Sequence, residues 1–76
     1  MTEIEKTQLR NLRRLSRYFD YKRSDIAESL GVEPSAVYQW FSRGKISKTG
    51  AVLAEKATKG VVTAAQLRPD IAEFEG

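Results

Sequence analysis

The chain has 76 residues, and its 13 Lys and Arg outnumber its 10 Asp and Glu, for a net charge of +3. This length predicts one domain with a thin hydrophobic core. Cys and His are both absent, which excludes disulfides and thiolate metal sites and removes the commonest general base and metal ligand. We therefore expect no enzyme activity, no cofactor and no metal. No apolar run approaches the ~20 residues of a membrane span, and a chain without Cys suits a reducing cytoplasm.

Positive charge is concentrated in the first two thirds of the chain. Residues 1–48 carry ten Lys or Arg against six acidic residues, whereas residues 49–76 carry three against four. This asymmetry indicates a surface that binds a polyanion such as nucleic acid. The alternative is that the basic residues only keep helix faces solvated.

The first predicted helix begins with a capping box, in which Thr2 is followed three residues later by Glu5. Apolar residues at roughly helical spacing form its expected core stripe: Ile4, Leu9, Leu12, Leu15 and Phe19. The arginines around this stripe are expected to be solvated: Arg10, Arg13, Arg14 and Arg17. In the second helix we expect Ser24 to be the N-cap and Gly31 to end the helix in the left-handed conformation. Its expected core residues are Ile26, Ala27 and Leu30.

The fourth and fifth helices are predicted from caps and chain breakers. The fourth begins at Ser47 or Thr49 and stops at Gly60, and three of its residues are expected to face the core: Val52, Leu53 and Ala57. The fifth is short. It opens with a capping box of Thr63 and Gln66, and Pro69 prevents its continuation. No segment is predicted to be a strand, so we expect an all-α fold of five short helices in one domain over residues 1–76.

Residues 23–44 contain two short helices joined through Gly31 and a very short turn, which predicts a helix-turn-helix. The third predicted helix covers about residues 34–42, followed by Gly44, and we expect Val37 and Trp40 to anchor it on the core. Its outward side chains are then Pro34, Ser35, Tyr38 and Gln39. The major groove of DNA admits such a helix, and Gln can pair with adenine through two hydrogen bonds. The alternative is a pair of packed helices with an incidental polar face.

Two stretches, DIAESLGVEPSAVYQWFSRGKIS and AEKATKGVVTAAQLRPDI, resemble the phage Cro repressors and the YdaS-like Cro/antitoxin regulators. These small bacterial and phage proteins share a lambda-repressor-like fold, and the resemblance covers about residues 20–72. It implies base contacts for the four outward residues of the third helix. It implies phosphate contacts for Arg23 and for the loop after the third helix, and we place the neighbouring Lys22 in the same group: Lys22, Arg23, Arg43, Lys45, Ser47 and Lys48.

The chain departs from that family at two positions. Glu33 occupies the cap position where relatives usually carry Ser or Thr, so we expect weaker capping. Pro34 replaces a residue that often forms hydrogen bonds with bases, which leaves fewer direct contacts.

We expect a sequence-specific DNA-binding transcriptional regulator, a Cro-type repressor that acts by occupying its operator in a bacterial or phage-infected cell, in the cytoplasm and on the nucleoid. The expected partner is a pseudo-palindromic double-stranded DNA operator, bound cooperatively by a weak homodimer. No membrane or small-molecule partner is expected. The alternative function is that of an antitoxin, a protein-binding module that can also repress its own promoter.

The expected dimer surface is the apolar part of the C-terminal tail, which covers about residues 69–76, together with the end of the fifth helix: Leu67, Pro69, Ile71 and Phe74. Three acidic residues are expected to keep this tail off the phosphates: Asp70, Glu73 and Glu75. The alternative is that Ile71 and Phe74 fold back over their own core.

Overall fold

Five helices and one 3₁₀ turn make up the structure, a computed structural model that describes residues 1–74. The helices are α1 (Glu3–Tyr18), α2 (Arg23–Leu30), α3 (Pro34–Arg43), α4 (Lys48–Ala57) and α5 (Ala64–Leu67), and the 3₁₀ turn covers Ala72–Phe74. Residues 1–74 contain no strand, so the predicted all-α fold of five helices is confirmed. None of the helices in this range has the length and apolarity needed to cross a membrane.

Every helix contributes to one hydrophobic core. Leu12 and Leu15 come from α1, and α2 and α3 together add five residues. Buried residues of α4 and α5 complete the core. The fully buried large side chains include Leu12, Leu15, Ile26, Ile46 and Leu67. The core therefore lies between α1 and the helix-turn-helix, and it fixes the orientation of α3.

The capping box of α1 is confirmed, but its core stripe is shorter than predicted. The Thr2 hydroxyl accepts the Glu5 N–H at 3.1 Å, and the Glu5 carboxylate accepts the Thr2 N–H at 3.0 Å. The Thr2 N–H that donates to this carboxylate is the main cause of the lowered pKa of the Glu5 carboxyl, followed by the Thr2 side chain. The prediction that Ile4 lies in the core is wrong: its side chain is 48% exposed. It lies in the first turn of α1, whereas the buried part of the helix begins at Gln8.

The prediction that Ser24 caps α2 is wrong, because the helix begins two residues earlier than that cap implies, with Lys22 at the N-cap and no side-chain cap. The chain leaves α1 through Asp20 and Tyr21, whose φ angles are 55° and 62°. This reversal brings the Lys22 carbonyl within 3.1 Å of the Asp25 N–H, where it accepts the first hydrogen bond of α2. The turn therefore begins the helix without a hydroxyl cap.

The turn of the helix-turn-helix forms as predicted. Gly31 has a φ of 70°, and the Val32 N–H donates to the Ala27 carbonyl at 3.0 Å, the bond that closes a Schellman turn. α3 then begins at Pro34 without a side-chain cap from Glu33, and Gly44 ends it with a φ of 72°. The ends of both helices are therefore set by glycines in the left-handed region.

The predicted core face of α4 is confirmed in part, since Leu53 and Ala57 pack against the core but Val52 does not. Ala51 and Ala54 are fully buried, whereas Val52, Leu53 and Ala57 are only half-buried. In its first turn α4 lies directly against Trp40 of α3. A Cβ atom at Gly50 would lie 2.6 Å from Cζ2 of Trp40, so this position requires glycine.

The caps at both ends of α4 are only partly as predicted. Ser47 is confirmed as the N-cap, since its hydroxyl accepts the Gly50 N–H at 3.0 Å. The predicted end at Gly60 is wrong, because α4 ends at Ala57. The Thr58 hydroxyl donates to the Ala54 carbonyl at 2.9 Å and accepts the Val62 N–H at 3.1 Å. These bonds turn the chain before the helix can continue.

α5 is the short helix that the sequence predicted. The Thr63 hydroxyl accepts the Gln66 N–H at 3.2 Å, and the Gln66 side chain accepts the Thr63 N–H at 3.1 Å. The helix ends at Leu67, two residues before Pro69.

Candidate nucleic-acid interface

The outward face of α3 carries the four residues predicted to contact bases. Val37 and Trp40 are 0% and 6% exposed, which confirms that they anchor the helix on the core. Because these two positions face inward, the opposite side chains face solvent, and all four are exposed: Pro34, Ser35, Tyr38 and Gln39. At these positions the helix therefore presents the uncharged hydrogen-bonding side chains of Ser35, Tyr38 and Gln39, beside the ring of Pro34.

A shallow concavity joins the end of α3 to the loop that precedes α4. Its volume is about 340 Å³, and the residues that line it include one predicted base contact and four predicted phosphate contacts: Gln39, Arg43, Lys45, Ser47 and Lys48. α4 also begins here, and the N-terminus of a helix carries partial positive charge. The concavity is therefore shaped and charged to accept an anionic ligand beside Gln39.

Arg23 lies at the other edge of the α3 face. Its guanidinium carbon is 5.4 Å from the centroid of the Tyr38 ring and 4.9 Å from that of the Phe41 ring. Both distances are those of cation–π contacts. Arg23 therefore ties the start of α2 to Tyr38, and Lys22 lies exposed next to it.

Lys48 is already engaged by the C-terminal part of the chain. Its Nζ lies 2.7 Å from Oε2 of Glu73, and both side chains are largely exposed. A phosphate that binds Lys48 would share its ammonium group with this carboxylate or compete for it. The acidic 3₁₀ turn therefore lies next to the concavity, while the Glu75 predicted to act with it lies outside the described residues.

A polar clip that was not predicted from the sequence holds the loop before α4. Arg68 donates to both carboxylate oxygens of Asp70, at 2.9 and 2.8 Å, and to the carbonyl of Ile46 at 2.9 Å. Gln8 of α1 donates to the same carboxylate at 2.9 Å. Because Ile46 lies between Lys45 and Ser47, the clip positions two of the predicted phosphate contacts. The signal was present in the stretch LRPDI, where an Arg and an Asp flank a proline.

The clip predicts a dependence of stability on pH. The hydrogen bonds and charge of Arg68 lower the pKa of Asp70 from 3.8 to about 2. A carboxyl whose pKa is lower in the folded state adds stability above its unfolded pKa and loses it as the pH falls through the folded pKa. For this partly exposed pair we expect about 0–1 kcal/mol. Asp70→Asn should therefore lower the urea midpoint at pH 6, and the difference from wild type should shrink at pH 2.5. An equal difference at both pH values would contradict the assignment.

The apolar residues of the predicted dimer surface pack mostly on their own chain. Leu67 is 0% exposed, so placing it on an exposed surface was wrong. Phe74 is half-buried and packs against the core, and Pro69 and Ile71 are half-buried as well. The packing of Phe74 agrees with the alternative in which the tail folds back over the core, whereas Ile71 is not among the residues packed against the core.

Comparison with known proteins gives one family. A family model described as bacterial toxin YdaS matches residues 22–74, which span α2 to the 3₁₀ turn and include the concavity and the Arg68–Asp70 part of the clip. A search of curated proteins and a search of solved structures gave no match.

Proposed function

The chain belongs to the family described as bacterial toxin YdaS, and we propose that it is a sequence-specific DNA-binding regulator, a Cro-type repressor that acts by occupying its operator. The observation that carries this proposal is the concavity in which Gln39 lies beside Arg43, Lys45, Ser47 and Lys48. The family description names a toxin and no ligand. The proposal therefore rests on the geometry and charge of the α3 face.

In this proposal α3 enters the major groove with its N-terminal half. Ser35, Tyr38 and Gln39 contact base edges, while the basic residues on either side of the helix contact phosphates. The contacts of Arg23 with Tyr38 and Phe41 support this arrangement, because they hold the base-contacting ring and a cation in one place. Repression is then steric and requires no cofactor.

A single short helix contacts only a few base pairs, so we propose that two subunits bind a pseudo-palindrome. The centres of the half-sites should lie about 34–36 Å apart, one turn of duplex. Since Leu67 and Phe74 pack on their own core, the contact between free subunits is small. Pairing is then weak in solution and cooperative on DNA.

The experiment that tests the proposal is selection from a library of randomised duplexes, followed by measurement of affinity for the enriched and for scrambled sequences. We expect an enriched sequence with two-fold symmetry that binds at least about 10³-fold more tightly than scrambled DNA. Failure to enrich any sequence, with equal affinity for all duplexes, would refute sequence-specific binding.

The loop before α4 is predicted to bind DNA whatever the base sequence of the duplex. Lys45→Ala should weaken binding to enriched and scrambled duplexes alike. The slope of log K against log salt should become less steep by about one. Lys56→Ala, at an exposed position of α4 away from the concavity, is the control and should leave the slope unchanged. A loss confined to the enriched duplex would show that Lys45 contacts a base instead.

A second candidate function is that of an antitoxin, supported by membership of a family described as a toxin. In that case the chain binds a partner protein and also represses its own promoter. Capture of one stoichiometric protein from the source cell, whose expression alone slows growth and whose effect is neutralised by this chain, would favour this function. Capture of DNA alone would favour the first.

A further inference from the structure

The outer face of α1 carries a row of positive charges that the proposed DNA complex does not use. Lys6, Arg10, Arg13 and Arg17 are all exposed, and their spacings of four, three and four residues place them on one side of the helix. We call these four residues the α1 basic stripe. It runs for about 16 Å along the helix, opposite the core residues Leu12 and Leu15.

The stripe has few negative partners within residues 1–74. Lys6 lies 3.6 Å from Glu3, but no salt bridge in the described residues involves the three arginines of the stripe. Like charges three or four residues apart destabilise a helix, so the stripe opposes folding. The nearby Arg14 differs, because it donates to the side chain of Asn11 and to the carbonyl of Val61. Arg14 therefore has a structural role that the stripe lacks.

The stripe borders an open groove of about 530 Å³ that is lined only by residues of α1 and by Met1. Leu9 lies in this groove, and it also lines a second hollow with Arg43 and Lys45. The second hollow is also lined by Glu5, so one carboxylate lies between the cations of the loop after α3 and the stripe. Apart from it, the charged residues that line the two hollows are Lys and Arg, which favours a ligand of the same charge as the one proposed for α3.

The composition of the stripe favours a nucleic-acid backbone over a protein. Stable protein interfaces have an apolar or aromatic centre, but the groove offers only Leu9 and Met1, and the exposed Tyr18 and Val61 lie at the end of the stripe, beside Arg17. Binding to DNA phosphates requires no apolar centre, since the release of counterions drives it. Three of the four cations are arginines, which can donate two parallel hydrogen bonds to a phosphate.

We propose that the α1 basic stripe is a second DNA-binding surface, which contacts the phosphates of duplex DNA outside the site occupied by α3 and without regard to sequence. The proposal rests on the proposed function in taking DNA as the ligand, but it does not depend on the contacts of α3. It gives each subunit a larger footprint than the helix-turn-helix alone provides.

The test compares two double variants that lose the same charge. Arg10→Gln/Arg13→Gln removes half of the stripe, and Lys56→Gln/Lys59→Gln removes two exposed cations from the end of α4 and the turn after it. Affinity for a random-sequence 30-bp duplex is measured over a range of salt concentrations. In the stripe variant, the slope of log K against log salt should become less steep by about 1.8, and the affinity at 0.1 M salt should fall on the order of 10-fold or more. The control variant should match wild type in both quantities.

Folding of the variants is checked by thermal denaturation. Gln has nearly the helix propensity of Arg, and the substitutions relieve repulsion within α1. The stripe variant should therefore melt at or above the wild-type temperature at low salt. A loss of DNA affinity with retained stability supports a binding role.

The outcomes separate this inference from the proposed function when Lys45→Ala is measured beside the double variants. If Lys45→Ala lowers the slope and the stripe variant behaves like its control, the inference is overturned and the proposed function stands. If the stripe variant lowers the slope and Lys45→Ala does not, the inference stands and the role of the α3 loop fails. If neither the stripe variant nor Lys45→Ala changes DNA binding, the inference and the role of the α3 loop are both overturned.

Discussion

Replacing Trp40 with Ala is expected to lower the free energy of unfolding by about 3–5 kcal/mol and to leave much of the chain unfolded at room temperature. The indole is 6% exposed, and its Cζ2 lies where a Cβ at position 50 would clash. It therefore fills the space between α3 and α4. A chain of 76 residues has a total stability of about 4–11 kcal/mol, so the loss is a large part of the whole.

Urea denaturation followed by circular dichroism measures this effect. Tyr38→Ala is the matched control, since it removes an aromatic ring from the same helix at a position that is 55% exposed. We expect the control to keep nearly the wild-type midpoint. If Trp40→Ala also kept it, the orientation of α3 would be wrong, and the assignment of its outward face would be wrong with it.

Gln39→Ala is expected to lower affinity for the selected operator by about 1–3 kcal/mol while leaving affinity for scrambled DNA nearly unchanged. Gln39 is exposed on α3 and borders the basic concavity, so its amide can form paired hydrogen bonds with a base while nearby cations contact phosphates. Removing it deletes a base contact but no charge.

Fluorescence anisotropy on both duplexes measures the ratio of the two affinities. Ser42→Ala is the control, because Ser42 is an exposed residue of α3 that does not line the concavity. Equal losses on the operator and on scrambled DNA would remove Gln39 from the base-contacting set.

The ends of the helices could be predicted from the sequence wherever one or two neighbouring residues determine them. The capping boxes at Thr2 and Thr63 need only a hydroxyl and a Glu or Gln three residues later, and the ends at Gly31 and Gly44 need only a residue that tolerates positive φ. The start of α2 was missed because Asp20 and Tyr21 adopt positive φ without being glycines.

Which residues are buried depends on distant parts of the chain and was harder to predict. The apolar pattern of α4 favoured Val52 and Leu53, but the buried residues of the helix are Gly50, Ala51 and Ala54, and Gly50 lies directly against Trp40. Ile4 fits the helical period of α1, yet its turn extends past the buried part of the helix. Periodicity alone does not show where a neighbouring helix ends.

The candidate site also combines features that neighbouring residues determine with features that depend on distant parts of the chain. Its outward face follows from the two anchors of α3, Val37 and Trp40, and could be predicted from helical spacing alone. The clip of Gln8, Arg68 and Asp70 joins residues up to 62 positions apart. Only its Arg68–Asp70 pair, whose members are two residues apart, could be recognised in the sequence. The pairing of Lys48 with Glu73 likewise depends on how the tail folds back.

The most direct test of the central claim, that the outward face of α3 binds DNA, is NMR mapping of backbone amide shifts during titration with the selected duplex. We predict the largest changes at residues 34–39 and 45–48 and at Arg23. The claim would be contradicted if the amide shifts changed in other parts of the chain but not in α3 or in the loop before α4.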